Sequence, residues 1–272
     1  MVEIAISLAI IGFALVAIIG VLPIGMNVQR ENREETIINQ DASVWFDAIR
    51  GGARGLDDLT NYVDAITNVV TAFNPDGSIV PGFPHTYGYH RTNWTFNVAL
   101  QPPIDQGLGH EITNGYRIIG LLSTPKYIYW DVANHVVATN NNVVAYVRAM
   151  SGLAAEKFPQ TNAEVRELAF NYRMLSEVVP YAGWDTNWVQ FNAPGLATDE
   201  VAARSNYWMV ARNLNANLRD VRLSFRWPIL PSGKIGNGRQ TFRTMVGGQL
   251  LQTNDTGQTL YFFQPQTFVK AL

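Results

Sequence analysis

The first twenty-six residues hold a single charged side chain, Glu3, and this run constrains the fold more than anything that follows it. Residues 4–26 read IAISLAIIGFALVAIIGVLPIGM, with no charge and with Ser7 as the one polar side chain. As a helix at about 1.5 Å per residue the stretch extends about 35 Å, enough to cross the hydrocarbon core of a bilayer. A secretory signal peptide would need a basic start, a shorter apolar core and a small-residue cleavage site, whereas this run begins acidic and continues into a polar helix. An ordinary single-pass anchor has a similar outline, a long apolar run followed by charges, here Arg30, Glu31, Arg33, Glu34 and Glu35. Glu3 argues against it, because a carboxylate at the head of an apolar helix is costly unless something positive meets it. It points to a partner.

Beyond Pro23 the chain turns polar but stays compatible with a helix. Ile38, Ala42, Trp45 and Ile49 recur at spacings of four, three and four, so residues 27–50 read as an amphipathic continuation that Gly51 and Gly52 stop. The charges from Arg30 to Glu35 suit either contacts between neighbouring subunits or a solvated face. The expected division is an N-terminal helix over residues 1–52 and one head over 53–272, since neither a linker nor an internal repeat marks a further domain. A hydrophobic content of 47% with 15% charge excludes a disordered chain. A net charge of −2 gives no broad electrostatic grip on nucleic acid or an anionic membrane surface, so no nucleic-acid partner is expected. Cysteine is absent, which removes disulfides, thiolate catalysis and Cys-based zinc sites.

The stretch Val2-Glu3-Ile4-Ala5-Ile6-Ser7-Leu8-Ala9-Ile10-Ile11-Gly12 resembles the N-terminal segment of type IV pilins and type II secretion pseudopilins, in which a lone glutamate opens an apolar helix. The resemblance covers about a tenth of the chain and implies a stalk helix carrying a head. In that family a prepilin peptidase removes a basic leader, and the new, usually methylated, α-amine of one subunit neutralises the glutamate of its neighbour. Glu3 matches that glutamate. It stands third here and fifth in the mature family pattern, which implies that the leader and a couple of mature residues are missing, or that processing differs. Assembly would run through Glu3, Ile4, Leu8, Ile11, Phe13, Leu15 and Ile18. Gly12, Gly20, Pro23 and Gly25 interrupt the run with residues that cost a helix about 1 kcal/mol (Gly) or 3 kcal/mol (Pro). By resemblance the segment 12–23 is where a filament loses helix and gains compliance, the alternative being a Pro kink of the kind that transmembrane helices tolerate.

The expected fold class is α+β, a long N-terminal helix packed on a β-rich globular head. A second helix is predicted over 56–73, before the turn Asn74-Pro75-Asp76-Gly77. Strands are predicted over 116–122 and 143–147, with a partly covered strand at Tyr127, Tyr129 and Trp130. Val165, Leu168, Ala169, Tyr172 and Leu175 predict a helix over 162–179, ended by Pro180. The clearest hairpin spans 219–244: Val221, Leu223, Phe225 and Trp227 form an apolar face, Arg222, Ser224 and Arg226 the other, and the loop is expected at 228–238.

No catalytic residue, metal site or cofactor is nominated. His85, His90, His110 and His135 lack HExxH spacing or a recognisable carboxylate partner, no Ser sits in a GxSxG elbow, and Gly236-Asn237-Gly238 and Gly247-Gly248 read as turn glycines. Asp57 and Asp58 are adjacent, but neighbouring helical residues point apart. Arg219, Arg222, Arg226, Arg239 and Arg243 suit either a basic patch for DNA or polysaccharide, or strand-face pairing with carboxylates. The seven Trp, eleven Tyr and thirteen Phe suit stacking on carbohydrate or the core of a large β head. Asn93 and Asn254 open N-glycosylation sequons.

The resulting expectation is a structural subunit of an extracellular type IV pilus-like filament, anchored in the inner membrane before assembly. Its partners would be copies of itself, the prepilin peptidase and the pilus assembly machinery. A minor pseudopilin of a type II secretion system and a membrane-anchored surface binding protein are the alternatives.

Overall fold

The computed structural model describes residues 2–52, 56–91, 110–132, 135–151, 171–181, 195–230, 232–255 and 258–269. One helix, α1 (Val2–Gly51), runs for 50 residues, about 75 Å, and Gly52 follows it at φ 67°. A short 3-10 helix (Asp57–Asn61) then leads into β1 (Val63–Phe73). Next come β2 (His85–His90), β3 (His110–Glu111), α2 (Gly115–Leu122), β4 (Tyr127–Val132), β5 (His135–Arg148) and β6 (Asn171–Pro180). A 20-residue helix, α3 (Thr198–Asn217), precedes β7 (Leu218–Ile229), β8 (Ile235–Gly247), β9 (Gln249–Asp255) and β10 (Gln258–Gln264).

The strands make an eight-stranded sheet in the order β3-β2-β1-β5-β6-β7-β8, with β4 paired to β5, and a separate β9–β10 hairpin. All pairings are antiparallel except the short β2–β3 contact. A long N-terminal helix on an antiparallel sheet domain is an α+β architecture. Strand alternation sorts the faces: Tyr172, Met174, Ser176 and Val178 of β6 and Val221, Leu223, Phe225 and Trp227 of β7 are buried on one side. Onto that side pack the second half of α1, α2 and β10, and the three share one hydrophobic cluster with the sheet. The opposite face carries a small cluster of Ala65, Val144 and Tyr146, with Leu175 and Ile229 against it.

Four sequence expectations change. Residues 56–73 are helical only over Asp57–Asn61; from Val63 the β-branched Val63, Ile66, Thr67, Val69, Val70 and Thr71 form a strand between β2 and β5. Residues 116–122 lie in α2, not in a strand. The Asn114 side chain accepts the Arg117 N–H at 3.0 Å, and Ile118, Ile119, Leu121 and Leu122 are all buried on one helix face, a stripe confined to eight residues whose β-branched and aromatic members also suit a strand. The helix predicted over 162–179 is a strand over the described part, residues 171–179. Tyr172 and Leu175, taken as one helical face, sit on opposite faces of β6. The β7–β8 turn is shorter than 228–238: Leu230 N bonds Lys234 O at 2.9 Å, and residues 236–238 belong to β8. The predicted strands at 143–147 and around Tyr127 correspond to β5 and β4.

Candidate assembly surface

Among the described residues, nothing in its own chain covers the first half of α1. Ile4, Leu8, Ile11, Phe13, Leu15 and Ile18 are all more than half exposed, Phe13 the most at 79%. Val2, Ile6, Ile10, Val16, Ile19, Val21, Leu22 and Met26 are exposed too, so the apolar surface runs all round the helix. Among the described helices α1 is the one long and apolar enough to cross a membrane. Covering fourteen such side chains withdraws roughly 20–40 kcal/mol worth of apolar surface from water, so the helix requires a bilayer or other protein around it. Glu3 stands in the first turn, where the helix dipole favours an acid, and its carbonyl accepts the Ser7 hydroxyl at 2.9 Å.

The helix passes through Gly12, Gly20, Pro23 and Gly25 without a break. A Cβ added at Gly12, Gly20 or Gly25 would meet no atom within 4 Å. Nothing inside the subunit therefore requires these glycines, in contrast to Gly120 of α2, where a Cβ would fall 2.7 Å from the Phe262 ring.

The second half of α1 is built into the head. Ile38, Trp45 and Ile49 have no exposed surface and Ala42 has 1%, which places the predicted stripe against the sheet. Trp45 Nε1 donates to the Tyr172 hydroxyl at 2.9 Å, both side chains being fully buried. Asp41, likewise fully buried, accepts the backbone N–H groups of Met150 and Ser151 at 2.9 Å through its two carboxylate oxygens. Burial pushes the Asp41 carboxyl above its ordinary value, more than its bonds to Ser151, Met150 and Tyr172 lower it. Burial also raises the Tyr172 phenol well above its ordinary value, with the Asp41 charge adding to the effect. At the rim, Gln240 Nε2 donates to Asn39 Oδ1 at 3.2 Å and Arg50 to Thr244 Oγ1 at 3.3 Å. Within the charged run Arg30 pairs with Glu34 at 2.8 Å, while Glu31, Arg33 and Glu35 are exposed.

The other sequence candidates do not converge. Among the described residues no three His, Asp or Glu side chains group as a metal site, and His85 and His90 lie at opposite ends of β2. Asp57 accepts the Gly115 N–H at 3.4 Å in front of α2. Asn93 lies outside the described residues; Asn254 is exposed on β9. The five arginines divide. Arg222 and Arg243 both clamp the buried Asp220, at 2.7 and 2.8 Å, and Arg219 donates to the Asn215 carbonyl. Burial raises the Asp220 carboxyl, but the bonds and charges of Arg243 and Arg222 more than offset this and leave it below its ordinary value. Arg226 and Arg239 stand opposite one another on β7 and β8 and are joined by Arg173 of β6, a residue outside the sequence-derived patch. The three line a groove with Ser224 and Thr241, and no carboxylate among the described residues pairs with them.

Sequence reasoning missed Asp41 and Tyr172 as anchoring groups, because their partners are distant in the chain or fall on an element assigned the wrong type; Asp220 sits on the predicted hairpin with both its arginines, and the strand-face pairing of those arginines with carboxylates was one of the two readings offered. Sequence reasoning also missed α3, whose only buried hydrophobic residue is Ala211 and which therefore has no apolar stripe to detect. No protein-family model, no curated protein and no solved structure matches this chain.

Proposed function

We propose that this chain is the structural subunit of an extracellular type IV pilus-like filament, held in the inner membrane by α1 before assembly and polymerised through the same helix. The observation that carries the reading is the division of α1: residues 37–49 supply core to the head, while residues 2–22 are exposed on every side and carry one charge, Glu3. In a bilayer the apolar half is already covered, so apolar burial alone supplies little drive for helices to bundle. Glu3 supplies the difference. A carboxylate near the hydrocarbon costs up to about 3 kcal/mol, a penalty relieved when a neighbour's α-amine meets it in the bundle. The match fixes register, since only one stagger of neighbouring helices brings amine and carboxylate together. Prepilin peptidase and the pilus assembly machinery are the further partners of this reading, and nucleic acid is not among them.

The test is electron microscopy of filaments sheared from the native cells, with mass spectrometry of their subunits and of the mature N-terminus. Filaments built mainly of this chain, and lost in Glu3→Ala, are the expected result. A chain that stays monomeric in the membrane fraction would overturn the proposal in favour of an anchored surface protein.

A further inference from the structure

A cleft of about 330 Å³ opens in the head between β1, β2, β5 and the β10 strand, and no described residue of α1 lines it. Its wall has two components. Phe83, Tyr87, Tyr89 and Tyr261 provide aromatic surface, while Asn68, Asn141 and Gln258 provide primary amides with threonine hydroxyls beside them. No acidic, basic or histidine side chain appears among the described lining residues.

The amides are the informative part. Gln258 is only 6% exposed, yet among the described residues neither its Nε2 nor its Oε1 has a hydrogen-bond partner. Asn68 is 9% exposed; its Nδ2 donates to Asn141 Oδ1 at 3.2 Å, and its own Oδ1 is left without a donor. The Asn141 amide is already engaged, its Nδ2 donating to the Pro125 carbonyl at 3.0 Å. Buried amide groups without partners are costly and rare, and they call for a ligand or ordered water that completes them. What is missing is mixed in character. Asn68 Oδ1 and Gln258 Oε1 need donors and Gln258 Nε2 needs acceptors, which hydroxyl groups satisfy because each both donates and accepts.

We propose that this cleft binds a neutral carbohydrate, one or two sugar rings, with the hydroxyls on Gln258 and Asn68 and the C–H face of a ring against the aromatic wall. The uncharged lining disfavours phosphorylated and carboxylated ligands, which would enter with no cation to meet them. The volume lies at the small end of ligand pockets, about 300–1,000 Å³, and suits one or two rings. The proposal holds whether or not α1 builds a filament.

The experiment uses the full chain in a detergent without a sugar headgroup, since a glycosidic detergent would compete. Saturation-transfer NMR and titration calorimetry with a panel of neutral hexoses, N-acetylhexosamines and their disaccharides would reveal the ligand. Binding of at least one neutral sugar is expected, weakened about tenfold or more in Gln258→Leu and in Tyr87→Ala, and unchanged in Thr241→Ala on the opposite face of the sheet. Tyr87 is only partly buried and serves as the second variant should Gln258→Leu fail to fold, with circular dichroism reporting the fold of each. No binding across the panel, with the amides held by water only, would overturn the proposal. So would equal affinity in both variants, or tighter binding of a nucleoside or an anionic sugar.

Discussion

Two buried carboxylates in this head answer pH with opposite signs. Asp41 is raised above 3.8 because burial outweighs its hydrogen bonds, so its contribution to stability is full below 3.8 and is lost as pH rises through the raised value. Asp220 is lowered because Arg243 and Arg222 outweigh burial, so its contribution is present above 3.8 and is lost as pH falls through the lowered value. Denaturant unfolding of the full chain in detergent should therefore show a decline above pH 3.8 that Asp41→Asn removes, and an acid-side decline that Asp220→Asn removes. An Asp41→Asn profile parallel to the wild type from acid to neutral pH would refute the first assignment. The arginine row makes a second residue-scale case. Like charges directly opposite on neighbouring strands cost about 0.2–1 kcal/mol, and Arg226 stands between Arg173 and Arg239. Arg226→Glu sets a carboxylate between two guanidiniums. We expect about 1 kcal/mol of added stability, seen as a higher denaturant midpoint at unchanged slope, and a lower midpoint would mean the row carries no strain. The pairing of Arg222 and Arg243 with a strand-face carboxylate was one of the readings the sequence offered, whereas the Asp41 site was not legible, because Asp41 is separated from Met150 and Ser151 by 109 and 110 positions.

At the scale of elements, legibility followed the strength of the pattern. Ile38, Ala42, Trp45 and Ile49 gave away the buried stripe of α1, and the alternation from Val221 to Trp227 gave away β7, because in both a solvent face contrasts with a core face. Where that contrast is short or two-sided the reading failed. In residues 116–122 the Asn114 cap and the spacing of Ile118, Ile119, Leu121 and Leu122 mark a helix, but the stripe spans barely two turns and its isoleucines suit a strand as well. In β6, Tyr172 and Leu175 are both apolar because the sheet carries a small cluster on its outer face as well, so a three-residue spacing imitated a helix. The contact between α1 and β6 is the element-level test. Trp45→Ala should cost about 3–5 kcal/mol through the void it leaves. Trp45→Phe keeps most of the volume but strips Tyr172 of its donor, costing about 1–3 kcal/mol. Amide exchange across β6 should accelerate in both, and acceleration confined to α1 would show that the helix can leave the sheet intact.

For the whole molecule, the sequence boundary at residue 52 marks the end of a helix and not the edge of the core. Ile37, Ile38, Ala42, Trp45, Ala48 and Ile49 belong to the same cluster as the sheet, whereas no residue before Ile37 does. A chain lacking residues 1–26 should fold and remain monomeric in plain buffer; one lacking residues 1–52 should aggregate or stay unfolded by circular dichroism and gel filtration. Folding of the shorter form would mean that the sheet, α2 and β10 close a core without α1.

The bond from Trp45 to Tyr172, set among Ile38, Ala42 and Ile49, also decides how force enters the head. In the proposed filament, tension along the apolar half of α1 is shared among the buried contacts of Ile38, Ala42, Trp45 and Ile49, spread over about three helical turns. In that reading a helix seated in this way pulls free only as the core of the head opens.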